Sequence, residues 1–326
     1  MGHTGFIACD NTRRVIRIAG AEATDFLQTL ITANVETLAD DETRASALLT
    51  PQGRVLVDFM ISRATDGFLI ECDTDKVENL FTRLRRYRLR RPVELTDEPE
   101  YTVWVIWGAD AAPPAARRDS RHPDLGWRAI SKDDAPPFAE NNDLQPASIE
   151  DWHALRIAAA VPQGPLDLVP ERALMLEAGL DRLGALDFEK GCYVGQEVTA
   201  RTHYRGLVKR RIAPFAVTSP GCTPGATITS GDRALGTVLS TATGPDGDLC
   251  LAAMKLSDLH HLHETGDPVQ IDGTAARLVL PEWMLPLPTP AQRQHNHTRK
   301  IDFAGYERDD GMFDIEAHLT DTKSYA

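Results

Sequence analysis

The sequence predicts an α+β fold in three parts: mixed strands and helices over residues 1–208, a small antiparallel β-barrel over 209–288, and a polar tail over 289–326. Three observations carry this. Strand-like and helix-like periodicities interleave through the first hundred or so residues. After Arg210, short β-type runs alternate with Gly, Pro and Asp turns. From the stretch PLPTPAQRQHNHTRK onward the chain is polar and begins Pro-rich, as an appendage or the start of a further domain would be.

Taken in order, RVIRI (14–18) reads as a strand. The stretch GAEATDFLQTLITANVETL places Leu27, Leu30, Ile31, Asn34 and Leu38 at helical spacing and predicts one amphipathic helix. Pro51 and Gly53 then make a turn into a strand on which Val55, Val57, Phe59 and Ile61 share one face. Asp58 falls on the other face among apolar neighbours, an unusual place for a carboxylate. FLIEC (68–72) pairs with that strand across the turn ATDG. Val77, Leu80, Phe81 and Leu84 mark a helix that stops before Pro92. It carries Arg83, Arg85, Arg86, Arg88, Arg90 and Arg91, either a solvated face or an anion site. YTVWVIW (101–107) is a further strand. Residues 109–148 are loop-rich around one short strand at GWRAI, and Ser148 with Asp151 forms a capping box opening a helix. QEVTARTHYR reads as a helix leading out of the segment KGCYVGQE (190–197).

Composition narrows the function. Hydrophobic content of 42% and charged content of 25% describe a globular chain. A formal charge of −13 disfavours direct nucleic-acid binding through the bulk field. No apolar run is long enough for a membrane span, and MGHTGFIACDNTRRV lacks a secretory apolar core. Cysteines 9, 72, 192, 222 and 250 form no CxxC pair, which predicts no disulfide framework, no resident metal site and a reducing cytoplasm. HLHETGD, with His260 just before it, reads as an exposed polar loop rather than a zinc site, and QHNH (294–297) calls for the same caution. Phosphate-loop, dinucleotide and serine-elbow motifs do not occur.

The segment KGCYVGQE frames one thiol, Cys192, with two glycines, beside Lys190. A nearby cation and a helix start would favour thiolate, whereas an unreactive buried cysteine is the common case. From the residues alone, nucleophile, ligand-lining thiol and structural cysteine all stay open.

KGCYVGQE with its continuation VTAR and RGLVKRR resembles the signature of the YgfZ family of folate-binding, iron–sulfur-associated proteins, relatives of the glycine-cleavage aminomethyltransferase (T-protein). IRIAGAEATDFLQTLITANVETL, LLTPQGRVLVDFMISR, LRRYRLRRPVEL, LRIAAAVPQG and LGTVLS are similar to further family segments in the same order. The resemblance implies T-protein-like lobes around a funnel for tetrahydrofolate or a derivative, followed by the β-barrel. It implies that Lys190, Gly191, Cys192, Tyr193, Gly195, Gln196, Glu197 and Arg201 line or shape that funnel. It further implies an accessory role in assembling or repairing iron–sulfur clusters for client enzymes, tRNA-modifying ones included. Cys192 would act on, or transiently ligate, a cluster shared with a partner, since one thiol cannot hold a cluster unaided. The alternative is a folate-dependent aminomethyl transferase. That relative carries two consecutive acids where this chain has Val57-Asp58, and a glutamate where it has Ala158. The departures leave Asp58 as the surviving catalytic candidate and count against a standard aminomethyltransferase.

Overall fold

The structure is a computed structural model that describes residues 5–132, 144–244 and 247–289. Its first part is built on strands β1 (Gly5–Cys9), β2 (Arg13–Ala19), β3 (Glu42–Leu49), β4 (Val55–Ala64), β5 (Gly67–Asp73), β6 (Glu94–Glu98), β7 (Thr102–Trp107), β8 (Arg117–Asp119), β9 (Trp127–Ser131) and β10 (Leu144–Pro146). Helix α1 (Ala23–Gln28) follows β2, α2 (Val77–Arg88) follows β5, and α3 (Ile149–Ala158) follows β10. The strands form one mixed sheet in the order β10-β1-β7-β9-β8-β3-β4-β5-β2-β6. The expected β4–β5 hairpin is present, with Arg63 opposite Phe68 and Ala64 opposite Gly67.

Alternation along β4 divides the core. Val57, Phe59 and Ile61 pack with Phe26, Leu27, Leu80 and Leu84 of α1 and α2, while Met60 on the other face joins a cluster around Trp152. Each such side chain, buried fully, contributes about 1.5–3 kcal/mol through removal of apolar surface from water. The predicted capping box at α3 is formed, with Ser148 Oγ accepting from the Asp151 amide and the Asp151 carboxylate accepting from the Ser148 amide.

Helix α4 (Gln196–Tyr204) leads into the second part: β11 (Arg210–Val217), β12 (Thr227–Ser230), β13 (Arg233–Gly244), β14 (Gly247–Lys255), helix α5 (Leu256–Thr265), β15 (Val269–Ile271) and β16 (Thr274–Leu278). These strands close into a six-stranded barrel in the order β11-β14-β13-β12-β15-β16. The α+β class with a C-terminal antiparallel barrel is therefore as the sequence predicts.

Three local expectations are corrected. The helix expected over 20–38 ends at Gln28, because Ile31 and Thr32 are drawn into other bonding. Ile31 bridges Leu48, and Thr32 Oγ1 donates to Ala185 O while accepting from the Ala47 amide. Strand β3, which supplies Leu48 and Ala47, was not expected. The HLHETGD loop is in fact part of α5, whose Leu256, Leu259 and Leu262 at a three-residue spacing are buried in the barrel core. The QHNH stretch and the polar tail lie outside the described residues.

Candidate functional site

The segment 190–197 is a tight loop clamped at both ends. At its start Lys190 is buried, and its ammonium donates to Ile31 O at 2.6 Å and Ala33 O at 2.7 Å, the carbonyls left free where α1 stops short. Gln28 Nε2 donates to the Lys190 carbonyl at 3.2 Å. Burial lowers the Lys190 ammonium to about 8, against Asp187 and Glu36, which raise it. Lys190 is thus a staple between segments; its hydrogen bonds go to the backbone near α1. Its ammonium also lies 5.3 Å from the centre of the Tyr193 ring. Tyr193 is buried with a hydroxyl that has no partner among the described residues, and burial pushes its phenol up.

At the other end the Tyr193 amide donates to Gln196 Oε1, and Gly195 opens α4 with φ +84°. A Cβ at Gly195 would stand 2.5 Å from Thr50 O and 3.2 Å from Gly53 Cα, so glycine lets α4 seat on the β3–β4 turn. Within α4, Thr199 Oγ1 donates to the Gly195 carbonyl, and it stands 3.2 Å from where a Cβ on Gly53 would sit. The QGR turn and the KGCYVGQE segment, far apart in sequence, are therefore one packed unit.

Between the clamps stand Gly191 and Cys192, both exposed. Gly191 has φ +96° with no atom near where a Cβ would sit. Of the other thiols, Cys72 and Cys250 are buried, and burial pushes Cys72 up to about 12. Glu197 and Arg201 are exposed one turn apart on α4, in the spacing that lets opposite charges meet. Beside the loop opens a cavity of about 690 Å³ lined by Asp187, Phe188, Glu189, Arg44 and His203, where the Phe188 and His203 rings stack at 4.0 Å.

Asp58 belongs to a different place. Its Oδ2 accepts from the Gly164 amide at 3.0 Å, and a Cβ at Gly164 would meet Asp58 Oδ1 at 2.0 Å. The apolar neighbours expected of it are there in Met60, Leu168 and Leu180, and a backbone amide faces the carboxylate among them. Together with Arg13, Arg121 and Gln163, Asp58 lines a slot of about 10 Å³, room for one water.

Behind the slot lies a buried ion network that sequence reasoning missed. Arg128 donates to both Glu71 oxygens at 2.6 and 2.8 Å and sits 3.6 Å from Asp119 and 3.8 Å from Asp10. Arg121 forks onto Asp119 at 2.9 and 2.6 Å. Burial alone would raise Asp119, but Arg121 and Arg128 together hold it below the ordinary carboxylate range. Arg13 Nε and Nη1, also buried, lack hydrogen-bond partners among the described residues. One signal was available: Glu71, like Asp58, is a carboxylate inside an apolar strand.

Residues 209–286 match the family model described as "CAF17, C-terminal beta-barrel domain". The chain is 31% identical over 303 residues to the mitochondrial iron–sulfur cluster assembly factor IBA57 of Mus musculus, covering 83% of each chain. It is 34% identical over 246 residues to the Homo sapiens protein of that name, covering 66% of this chain and 68% of that one. The homolog from Pyricularia oryzae is 39% identical over 224 residues, which span 64% of this chain and 57% of the relative. The crystal structure of the glycine cleavage system aminomethyltransferase T from Bartonella henselae superposes with a TM-score of 0.68 over 86% of each chain. At 16% identity that likeness carries the T-protein-like fold alone. The relatives are named as mitochondrial, which overturns the cytoplasmic expectation. Scattered free thiols report only a reducing compartment, and the cytoplasm is not the only one.

Proposed function

The chain belongs to the IBA57 family of iron–sulfur cluster assembly factors, and from that premise we propose that Cys192 is the residue it offers to a cluster carried by a partner protein. The YgfZ resemblance is a coarser statement of the same kinship. The observation that carries the proposal is the exposure of Cys192 at the tip of a loop whose two ends are fixed. Lys190 ties one end to the α1 terminus, and Gly195 seats the other on the β3–β4 turn. A thiol held on rigid elements meets a partner without first losing loop entropy. As a single thiolate it supplies one ligand and the partner supplies the rest. Enzymes that need such clusters, tRNA-modifying ones included, are the clients the resemblance favours.

The test mixes the protein anaerobically with an assembly partner loaded with a [2Fe–2S] cluster and follows the thiolate-to-iron absorption bands. Wild type is expected to change the spectrum on complex formation. Cys192→Ser is expected to leave the partner's own spectrum. An identical spectral change with Cys192→Ser would sink the proposal.

A reduced folate is a second ligand reading, favoured by the Arg13 Nη1 donor beside Asp58 and Gln163, which has no hydrogen-bond partner among the described residues, while Nε stands 3.8 Å from Glu71. A pterin does not fit the one-water slot as it stands, so no chemical step is assigned to it. Binding would require the segment around Gly164 to lift from Asp58. Titration with tetrahydrofolate decides this: saturable binding that is weakened by Arg13→Gln supports the reading, and absence of binding removes it. The aminomethyl-transfer alternative has only the shared fold behind it, and Asp58 already accepts a backbone hydrogen bond.

A further inference from the structure

Two of the five thiols meet in the barrel. Cys250 lies within β14, 0% exposed, paired with Phe215 of β11 on one side and Thr241 of β13 on the other. Cys222 lies in the loop 218–226 that joins β11 to β12. Asp248 brings them together. The chain leaves β11 at Val217, opposite Asp248, and turns back so that the Gly221 and Cys222 amides donate to Asp248 Oδ2 at 2.7 and 2.9 Å. Asp248 and Cys250 are two apart on one strand and share a face. The carboxylate that holds the Cys222 backbone therefore stands beside the Cys250 side chain. Cys222 packs against the barrel-core cluster that contains Cys250, and the two thiols are hydrogen-bonded to each other.

The two differ in access. Cys222 is half-buried and, with Ser240, Thr243 and Asp248, lines a cavity of about 520 Å³ between α3 and the barrel. Cys250 is closed to solvent, so a solute entering the cavity meets Cys222 first. Burial raises both thiols, and the hydrogen bond between them favours thiolate at Cys222 and disfavours it at Cys250. Among the described residues no group of three or more His, Cys, Asp or Glu could hold a metal ion, so the chemistry open to the pair is that of a dithiol.

We propose that Cys222 and Cys250 form a reversible oxidation site whose oxidant is a hydroperoxide. The Cys222 thiolate attacks one peroxide oxygen and breaks the O–O bond, so that its sulfur becomes a sulfenic acid and the other oxygen leaves as water. Cys250 sulfur then attacks the sulfenic sulfur, the S–S bond closes, and the hydroxyl leaves as a second water. Two thiols and one hydrogen peroxide thus give one disulfide and two waters, the sulfurs being oxidised and the peroxide reduced. Cys222 sits on a loop, so closure requires that loop to shift while β14 stays in place. The product pins the loop 218–226 to the barrel at the rim of the cavity. The site uses neither Cys192 nor a cluster, so the proposal does not rest on the cluster reading.

Peptide mapping of the full chain tests it. The reduced protein is treated with hydrogen peroxide under native conditions, blocked with iodoacetamide and digested with trypsin without reduction. Cleavage after Arg211, Arg233 and Lys255 puts the two cysteines on separate peptides, 212–233 and 234–255. Mass spectrometry is expected to find these peptides joined, and dithiothreitol to part them. Cys222→Ser is expected to give no joined peptide, and Cys250→Ala to leave Cys222 as a sulfenic acid that dimedone captures. The link is expected to raise the melting temperature of wild type by about 4–8 °C, with no rise in peroxide-treated Cys222→Ser. No joined peptide at a peroxide dose that oxidises the exposed Cys192 would overturn the proposal. So would Cys222 joined mainly to Cys9 or Cys192, or the same rise in melting temperature with Cys222→Ser.

Discussion

Replacing each glycine of the KGCYVGQE loop by alanine separates backbone strain from packing at the candidate site. Gly191 and Gly195 both have positive φ, +96° and +84°, so alanine at either costs about 1–2 kcal/mol for the left-handed backbone alone. At Gly191 nothing stands within 4 Å of the new methyl, and the cost ends there. At Gly195 the methyl would be 2.5 Å from Thr50 O and 3.0 Å from Leu49 Cβ, closer than real contacts allow. Thr50 O is backbone, so the turn or α4 must move, adding about 1–3 kcal/mol as overpacking does. Gly195→Ala is therefore expected to lose roughly 2–5 kcal/mol and Gly191→Ala about 1–2 kcal/mol. Urea unfolding followed by far-UV circular dichroism measures both, provided the slope m is unchanged. Equal losses for the two variants would refute the docking of α4 on the β3–β4 turn.

Other expectations follow from single groups. Lys190→Met leaves the Ile31 and Ala33 carbonyls without their donor and should cost about 1–3 kcal/mol at neutral pH. Because the folded ammonium lies near 8 and the ordinary value is 10.5, the fold sheds that proton first; wild type should gain stability between about pH 8 and 10.5, and Lys190→Met should not. Burial, reinforced by Arg156, lowers His153 to about 4 from 6.5, so the unfolded chain takes up the proton first as pH falls. Stability should decline from about pH 6.5 toward 4, and His153→Gln should flatten that part of a stability–pH curve. Arg128→Met strands the Glu71 carboxylate and should cost about 3–5 kcal/mol in the same urea assay.

Local patterns were the legible part of this molecule. Alternation placed β4 and its faces over Val57–Ile61, although Val55 packs with Met60 and Leu56 with Val57 at the strand's start; Ser148 with Asp151 marked the start of α3, and short β-runs announced the barrel. Features set by distant partners were not legible. Periodicity carried helix α1 ten residues too far, since nothing local shows that Thr32 will bond Ala185. The leucines of α5 were hidden behind the histidines between them. At the candidate site, the motif marked the loop that carries Cys192, yet the role of Lys190 depends on carbonyls some 160 positions away in sequence. Asp58 was singled out for missing acids, and its link to Gly164 and the ion network behind it arises only from the sheet order.

The central claim, that Cys192 is the thiol offered to iron–sulfur clusters, is tested most directly by complementation. Cys192→Ser, Cys9→Ser and Cys222→Ser are each expressed in a strain lacking the native gene, and the activity of a cluster-dependent enzyme is measured in extracts, with protein level checked by immunoblot. Cys192→Ser is predicted to accumulate normally and restore no activity, while the other two restore it fully. Full restoration by Cys192→Ser would contradict the account.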